Sequence, residues 1–434
     1  MHNNRLARLL PYADWTVILC LIVLFFFSFR LDSRINGYVI PAHIPHSESV
    51  LEVFHQDTYH IIKWLVRDVH SPNQQDHLLF HVLTDGIYKG IKPILYHGAP
   101  SVYLYLKVLT IFEAVLFLLI MRAFLLHFGL SPLRRLALLL LTGCSVSVWF
   151  HFSAFETHAM AMPALAGYLL LMHRILRDRH SSPSCYILLG ICLIIMALVR
   201  LDNFRFILLT ILILPFHGAR EKWKPLILTI TLSMLVSIAL YFPLTMHYFN
   251  VPTRDVTNTI LNRFDREDLL MKMKTFRNFT PEKLGGMTAA MTIYSFVMPC
   301  GADTFSTPFA DQFKRPGPAV AFGLFLLGLI AALYRLLLRR IWLNPFFLLL
   351  AGTGIASLLF YTWFNPLEPF LWIVEIVPLI VAVFALSLTP PADPDASKNG
   401  WREHLITGFL FLTVLILIVH NVLHFLLPYR LPLI

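Results

Sequence analysis

Long apolar runs, interrupted at short intervals by basic or polar turns, dominate this chain. Segments of membrane-spanning length recur at 13–30, 101–126, 133–151, 158–174, 184–200, 204–217, 225–247, 318–338, 344–363, 369–388 and 404–427. A hydrocarbon core ~30 Å thick takes roughly 20 apolar residues to cross as a helix. The pattern therefore predicts an all-α polytopic membrane protein with about eleven transmembrane helices. The shortest segment is 204–217, and the residues before it can extend the span. Residues 1–434 read as a single integral-membrane domain without internal repeat or low-complexity tract.

The turns orient the helices, because Lys and Arg near helix ends are retained on the cytoplasmic side. With the N-terminus and its Arg5 and Arg8 inside, every second turn reads basic. These turns are Arg134 and Arg135, "HRILRDRH" at 173–180, "GAREKWK" at 218–224 and "YRLLLRR" at 334–340. Two long connections then fall outside: a first external loop, 31–100, and a second, 248–317. The linker-like stretch "TPPADPDASKNG", 389–400, falls inside.

Composition agrees with this reading. The chain is 57% hydrophobic and 14% charged, with a mean hydropathy of +0.68, which excludes an ordinary soluble domain. The net charge of +10 follows from the basic inner turns and implies no nucleic-acid partner. No small-residue cleavage pattern follows the first apolar segment, so that segment reads as a helix rather than a signal peptide. Of the five cysteines, Cys20, Cys144 and Cys192 lie in apolar spans, Cys185 near the inner face and Cys300 outside, a distribution that argues against a disulfide framework.

Polar side chains gather at the outer face. In the first external loop, "EVFHQDTYHIIKWLVRDV" at 52–69 has an apolar stripe at helical spacing, with Asp57, His60, Trp64 and Asp68 beside it. This predicts a helix lying in the membrane interface, and external loops of this kind are expected to carry interfacial helices. In "DHLLFH" Asp76 can cap a helix that sets His77 and His81 one turn apart, but no third ligand at metal-binding spacing accompanies them. Glu156 and His158 enter one span from outside. Arg200, Asp202 and Arg205 form the turn "VRLDNFR", and Asn365 and Glu368 lie in "WFNPLEPFLW". Inside the hydrocarbon region the sequence places few ionisable residues, among them Lys107, which can snorkel, Glu113 and Glu375. A transporter needs polar groups near the midplane and usually repeat symmetry. A polar floor at one interface suits chemistry on a substrate whose tail lies in the outer leaflet.

These features resemble the GT-C superfamily of integral-membrane glycosyltransferases, with local likeness to bacterial members of the family 39 kind. "DHLLFH" is similar to the family's H-L-L-[YF] element at the end of the first loop, "FETHAMAMPAL" to its acidic outer helix start, and "WFNPLEPFLW" to its tryptophan–proline turn. The resemblance implies a GT-C-like bundle at the bacterial inner membrane with the active site facing the periplasm. It implies transfer of a sugar from a polyprenyl-phosphate carrier to a glycan, lipid or protein acceptor. Asp57 would be the base that takes the acceptor hydroxyl proton, although it lacks the adjacent acidic residue that many members carry. Arg200, ahead of Arg205 and Arg254, would hold the carrier phosphate. His60, His77, Glu156, His158, Asn365 and Glu368 would contact substrate. No metal ligand set is assigned, and a divalent ion stays an open cofactor. The alternatives are an oligosaccharide ligase or polymerase using a diphosphate carrier, and a transporter or flippase.

The topology is directly testable. On a background with the native cysteines replaced, a cysteine introduced near Lys222 should resist a membrane-impermeant thiol reagent in intact cells, and one near Asp265 should react. The reverse labelling would overturn the orientation.

Overall fold

The computed structural model describes residues 3–29, 65, 78–94, 99–153, 157–178, 181–200, 203–212, 222–249, 280–299, 309–364, 374–390 and 400–424. Among these every regular element is helical. In chain order they are α1 (Asn3–Ser28), α2 (Leu78–Ile91), α3 (Ala99–Leu126), α4 (Pro132–Gly143), α5 (Val146–Ser153), α6 (Thr157–Arg177) and α7 (Pro183–Val199). There follow α8 (Phe204–Leu212), α9 (Trp223–Phe249), α10 (Pro281–Ala289), α11 (Pro316–Leu338), α12 (Pro345–Phe364), α13 (Ile376–Leu388) and α14 (Gly400–Asn421). There are also short 3-10 turns at Phe309–Lys314 and Ile341–Leu343 and π-helical turns at Ala290–Tyr294 and 422–424.

Helix starts follow local chemistry. Proline occupies the first position of α4, α7, α10, α11 and α12, where its missing N–H is not needed. At α10 the Thr280 hydroxyl also accepts from Lys283 N at 3.3 Å. Helix α4 packs on α1 and is also the hub where α13 and α14 meet the first half of the chain. Helices α3, α6, α7 and α9 pack in succession, and α12 lies against α6, α8 and α13.

Six helical stretches are long and apolar enough to cross a membrane: 104–126, 158–177, 223–248, 316–338, 345–363 and 403–424. Taking α4 and α5 as one broken span makes seven, and α1, α7 and α13 contribute shorter apolar stretches. Their outward faces carry Ile187, Leu188, Leu228, Leu235, Leu327 and Leu415, all half exposed or more, as a lipid-facing surface requires. The predicted interfacial helix at 52–69 lies outside the described residues, apart from the buried Leu65.

The bundle has two chemically different ends. Helix α6, 21 residues long, spans about 30 Å from His158 to Arg177. The basic turns lie at the Arg177 end. There Arg134 meets Glu403 and donates to Leu388 O at 3.1 Å, and Arg335 reaches the other Glu403 oxygen at 3.2 Å. Arg339 donates to Thr389 O at 2.6 Å. The buried Asp14 pairs with Arg135 at 2.6 Å and Arg122 at 3.2 Å. His158, Arg200 and Glu375 lie at the opposite end.

The predicted span 133–151 is not one helix. It bends by 55° between α4 and α5. At the end of α4, α1 approaches so closely that a Cβ on Gly143 would lie 2.2 Å from Leu21 Cδ1. The break frees backbone groups that an apolar setting cannot leave bare. Asn421, fully buried on α14, supplies them. Its amide nitrogen donates to Cys144 O at 3.0 Å and to Phe296 O at 2.7 Å, and its oxygen accepts from Met298 N at 3.0 Å. Neighbouring His420 Nε2 donates to Met298 O at 2.8 Å, and Ser147 N donates to Ser295 O at 3.0 Å. One side chain thus ties α14, the α4–α5 break and the segment after the π turn together. Asn421→Leu keeps the volume and strands three backbone groups, each worth about 1–3 kcal/mol. Thermal unfolding in detergent should show a loss of about 3 kcal/mol or more, with Asn421→Asp, which retains only the acceptor, intermediate.

Candidate functional site

Arg200 ends α7. Its backbone is extended (φ −150°, ψ 121°), its N–H still bonds Met196 O at 3.1 Å, and its carbonyl accepts from Asn203 N at 3.0 Å. The Asn203 side chain adds a second bond to Met196 O at 3.1 Å. This capped turn lets α8 start at once and sets Arg200 and Arg205 on the same rim of the bundle.

Both guanidinium groups converge on one carboxylate. Glu375 stands at the N-cap of α13, where the helix dipole favours a negative charge. Its Oε1 accepts from Arg200 Nη1 at 3.0 Å and its Oε2 from Arg205 Nη2. Tyr361, from the end of α12, donates to the same Oε2 at 3.3 Å. The Arg205 guanidinium lies 5.1 Å from the Tyr361 ring centre and 4.9 Å from that of Phe206, so two aromatic faces hold its plane. Arg200 and Glu375 are 1% and 2% exposed, so the charges are out of water and their pairing is obligatory.

His158, in the first turn of α6, joins the cluster through Nδ1, which contacts Arg200 Nη1. A guanidinium can only donate, so Nδ1 is the acceptor and the neutral ring carries its proton on Nε2. The His151 ring, from α5, lies 5.6 Å away, and its Nδ1 is bonded to Ser147 O at 2.7 Å. The break between α4 and α5 tilts His151 toward this end.

Of the residues singled out by sequence, the structure brings together His158 and Arg200, with Arg205 beside them. Asp57, His60, His77, Glu156, Asn365 and Glu368 lie outside the described residues, as do Asp202 and Arg254. Lys107, on α3, sits 3.8 Å from the Phe26 ring centre. Glu113 is buried on α3, and neither of its oxygens has a hydrogen-bond partner among the described residues. His81 is buried against Phe80, and Tyr248 donates to its carbonyl at 3.3 Å. Glu375 was visible as an acid in an apolar run, but its partners were not. The only available signal was that a buried carboxylate must have a cation. Tyr361 gave no signal, because aromatic residues are common in such spans, and His151, an imidazole within the apolar run 133–151, was a signal the sequence reading passed over.

Among the described residues no three His, Cys, Asp or Glu side chains converge as a metal site. The cluster is instead a fixed cationic one. Each guanidinium has five N–H donors, whereas Glu375 offers two oxygens, so most of the donor capacity is directed elsewhere than at Glu375. Such a preorganised pair suits a phosphate or carboxylate. Glu375→Gln keeps the shape and leaves two cations without their shared anion, so it should cost about 3–5 kcal/mol of stability. Arg205→Met should cost less, since Arg200 and Tyr361 still satisfy Glu375. Chemical denaturation in detergent distinguishes the two, and equal small losses would mean that the charges are not coupled. No family model, curated protein or solved structure matches this chain.

Proposed function

We propose that this protein is a glycosyltransferase that moves a sugar from a polyprenyl-phosphate carrier to an acceptor at the non-cytoplasmic face of the membrane. The observation that carries the reading is the Arg200–Glu375–Arg205 cluster at the end of the bundle opposite the basic turns. With the basic end inside, Arg200 lies at the depth of an outer-leaflet head group. A lipid phosphate leaving an anomeric carbon gains negative charge, and guanidinium groups already fixed in place stabilise it without reorganising. His158 would then present its Nε2 proton to a phosphate or sugar oxygen. Asp57, from the first external loop, would take the acceptor proton. An eleven-span arrangement belongs to this reading, and it draws support from the helix found within each of the eleven apolar segments.

The reading is tested with purified protein and a radiolabelled polyprenyl-monophosphate sugar. Transfer or hydrolysis of the sugar is expected. Activity with a diphosphate-linked glycan alone would identify a ligase or polymerase, and uptake into sealed vesicles without turnover would identify a transporter. Arg200→Ala leaves Glu375 bonded to Arg205 and Tyr361, so the variant should fold. It should lose most turnover and weaken donor-lipid binding in step, and Arg200→Lys should retain part of both. Normal donor binding and turnover in a folded Arg200→Ala protein would refute the phosphate role.

A further inference from the structure

A groove of about 690 Å³ runs between α7 and α9 on the membrane-facing surface, and none of His158, Arg200, Arg205 or Glu375 lines it. Its walls are Ile187, Ile191 and Ile194 from α7 with Leu228, Leu232 and Val236 from α9. Its floor is set by a close approach. A Cβ on Gly190 would lie 3.1 Å from Ser233 Oγ, and that hydroxyl lies 3.3 Å from Gly190 O. From Pro183 to Ile194 the groove follows α7 for about 17 Å, close to the ~15 Å depth of one leaflet. Apart from Thr229 and Ser233 its length is lined by apolar side chains, and Ser181, Tyr186 and Lys222 line its polar end.

Lys222 differs from an ordinary snorkelling lysine. It is buried, and its ammonium is pinned by donating to Ile175 O at 2.6 Å and to Asp178 O. Those two bonds use two of its three N–H groups and involve neutral carbonyls. The Asp178 carboxylate lies 3.5 Å from Arg174, and among the described residues no carboxylate forms an ion pair with Lys222. Burial lowers the lysine's pKa, and the Asp178 charge opposes that. An anion at the groove's mouth would complete its charge balance.

We propose that this groove binds one acyl chain of an anionic phospholipid of the inner leaflet, with the lipid phosphate on the third Lys222 N–H. Groove length argues for a phospholipid chain over a polyprenyl chain, which would run beyond one leaflet. The fixed positive charge at the basic end argues for an anionic head group over a zwitterionic one. The inference rests on the inside placement of the basic end and is independent of the transferase reading.

The test is native mass spectrometry of the full-length protein in detergent, titrated with phosphatidylglycerol or phosphatidylcholine of equal chain length. One phosphatidylglycerol should bind about fivefold more tightly than phosphatidylcholine, and Lys222→Gln should remove the preference. Because Lys222 also bonds two carbonyls, Ile191→Trp provides the second variant. It fills the groove, leaves Lys222 intact and should block binding of that lipid. Equal binding of the two lipids by the wild type, or an unchanged preference in both variants, would overturn the proposal. So would displacement of the phosphatidylglycerol by polyprenyl phosphate at equimolar amounts, which would make the carrier lipid the occupant.

Discussion

The carboxylate of Glu375 fixes the geometry at one end of this bundle. It lies 175 residues from Arg200 and 170 from Arg205 in sequence, so the ion pairs close most of the second half of the chain onto the first. A buried ion pair of this kind contributes little net stability, because dehydrating the charges offsets most of their attraction. Its effect is on position. Without a buried anion, two arginines at a helix turn would extend toward water along their flexible stems. With one, they are drawn inward, and the plane of Arg205 is set by Tyr361 and Phe206. Helices α7, α8, α12 and α13 are therefore held in register by a single acid.

The opposite end handles its cations differently. Arg134, Arg339, Arg177 and Lys222 each donate to a carbonyl near a helix C-terminus or the turn after it, where the helix dipole favours positive charge. These residues cap helices and remain near the polar boundary, with Glu403 as the counterion of Arg134. Each end also buries one carboxylate between two arginines: Asp14 with Arg135 and Arg122 at the basic end, Glu375 with Arg200 and Arg205 at the other. What sets the Glu375 cluster apart is the imidazole of His158 and the hydroxyl of Tyr361 that join it.

The sequence made the helical architecture legible because apolar length is a strong signal, and the runs at 101–126, 225–247, 318–338 and 344–363 match helices closely. It also separated the two ends, since basic turns recur at every second connection. It did not reveal the break at Cys144–Ser145. Nothing in "LLTGCSVSVWF" departs from an apolar helix except small residues, and the bend depends on Leu21 and Asn421, which are remote in sequence. In the site, Arg200 and His158 were legible as polar groups at helix mouths. Their convergence on Glu375 was not, because partner choice among remote charges is a tertiary property that composition does not encode. Asp202 lies two residues from Arg200, yet the described partner is Glu375, 175 residues away at the N-cap of α13.

Backbone irregularity is distributed in a way that bears on the site. The α4–α5 break, the π turn at Ala290–Tyr294, Pro163 six residues into α6 and Pro243 near the end of α9 all interrupt regular helical bonding. Such interruptions are tolerated at membrane depth only where protein groups or a polar cavity replace the lost bonds. Here the break and the segment after the π turn are satisfied by Asn421 and His420, and both prolines fall in the halves of their helices nearer Arg200. The basic half keeps simple helices capped at their ends. Polar replacements within the bundle accumulate toward the end that holds Glu375, and there they bring His151 within ring contact of His158. A bundle shaped only for membrane stability has no need of such asymmetry, whereas a bundle that must hold cations and imidazoles rigidly at one surface does.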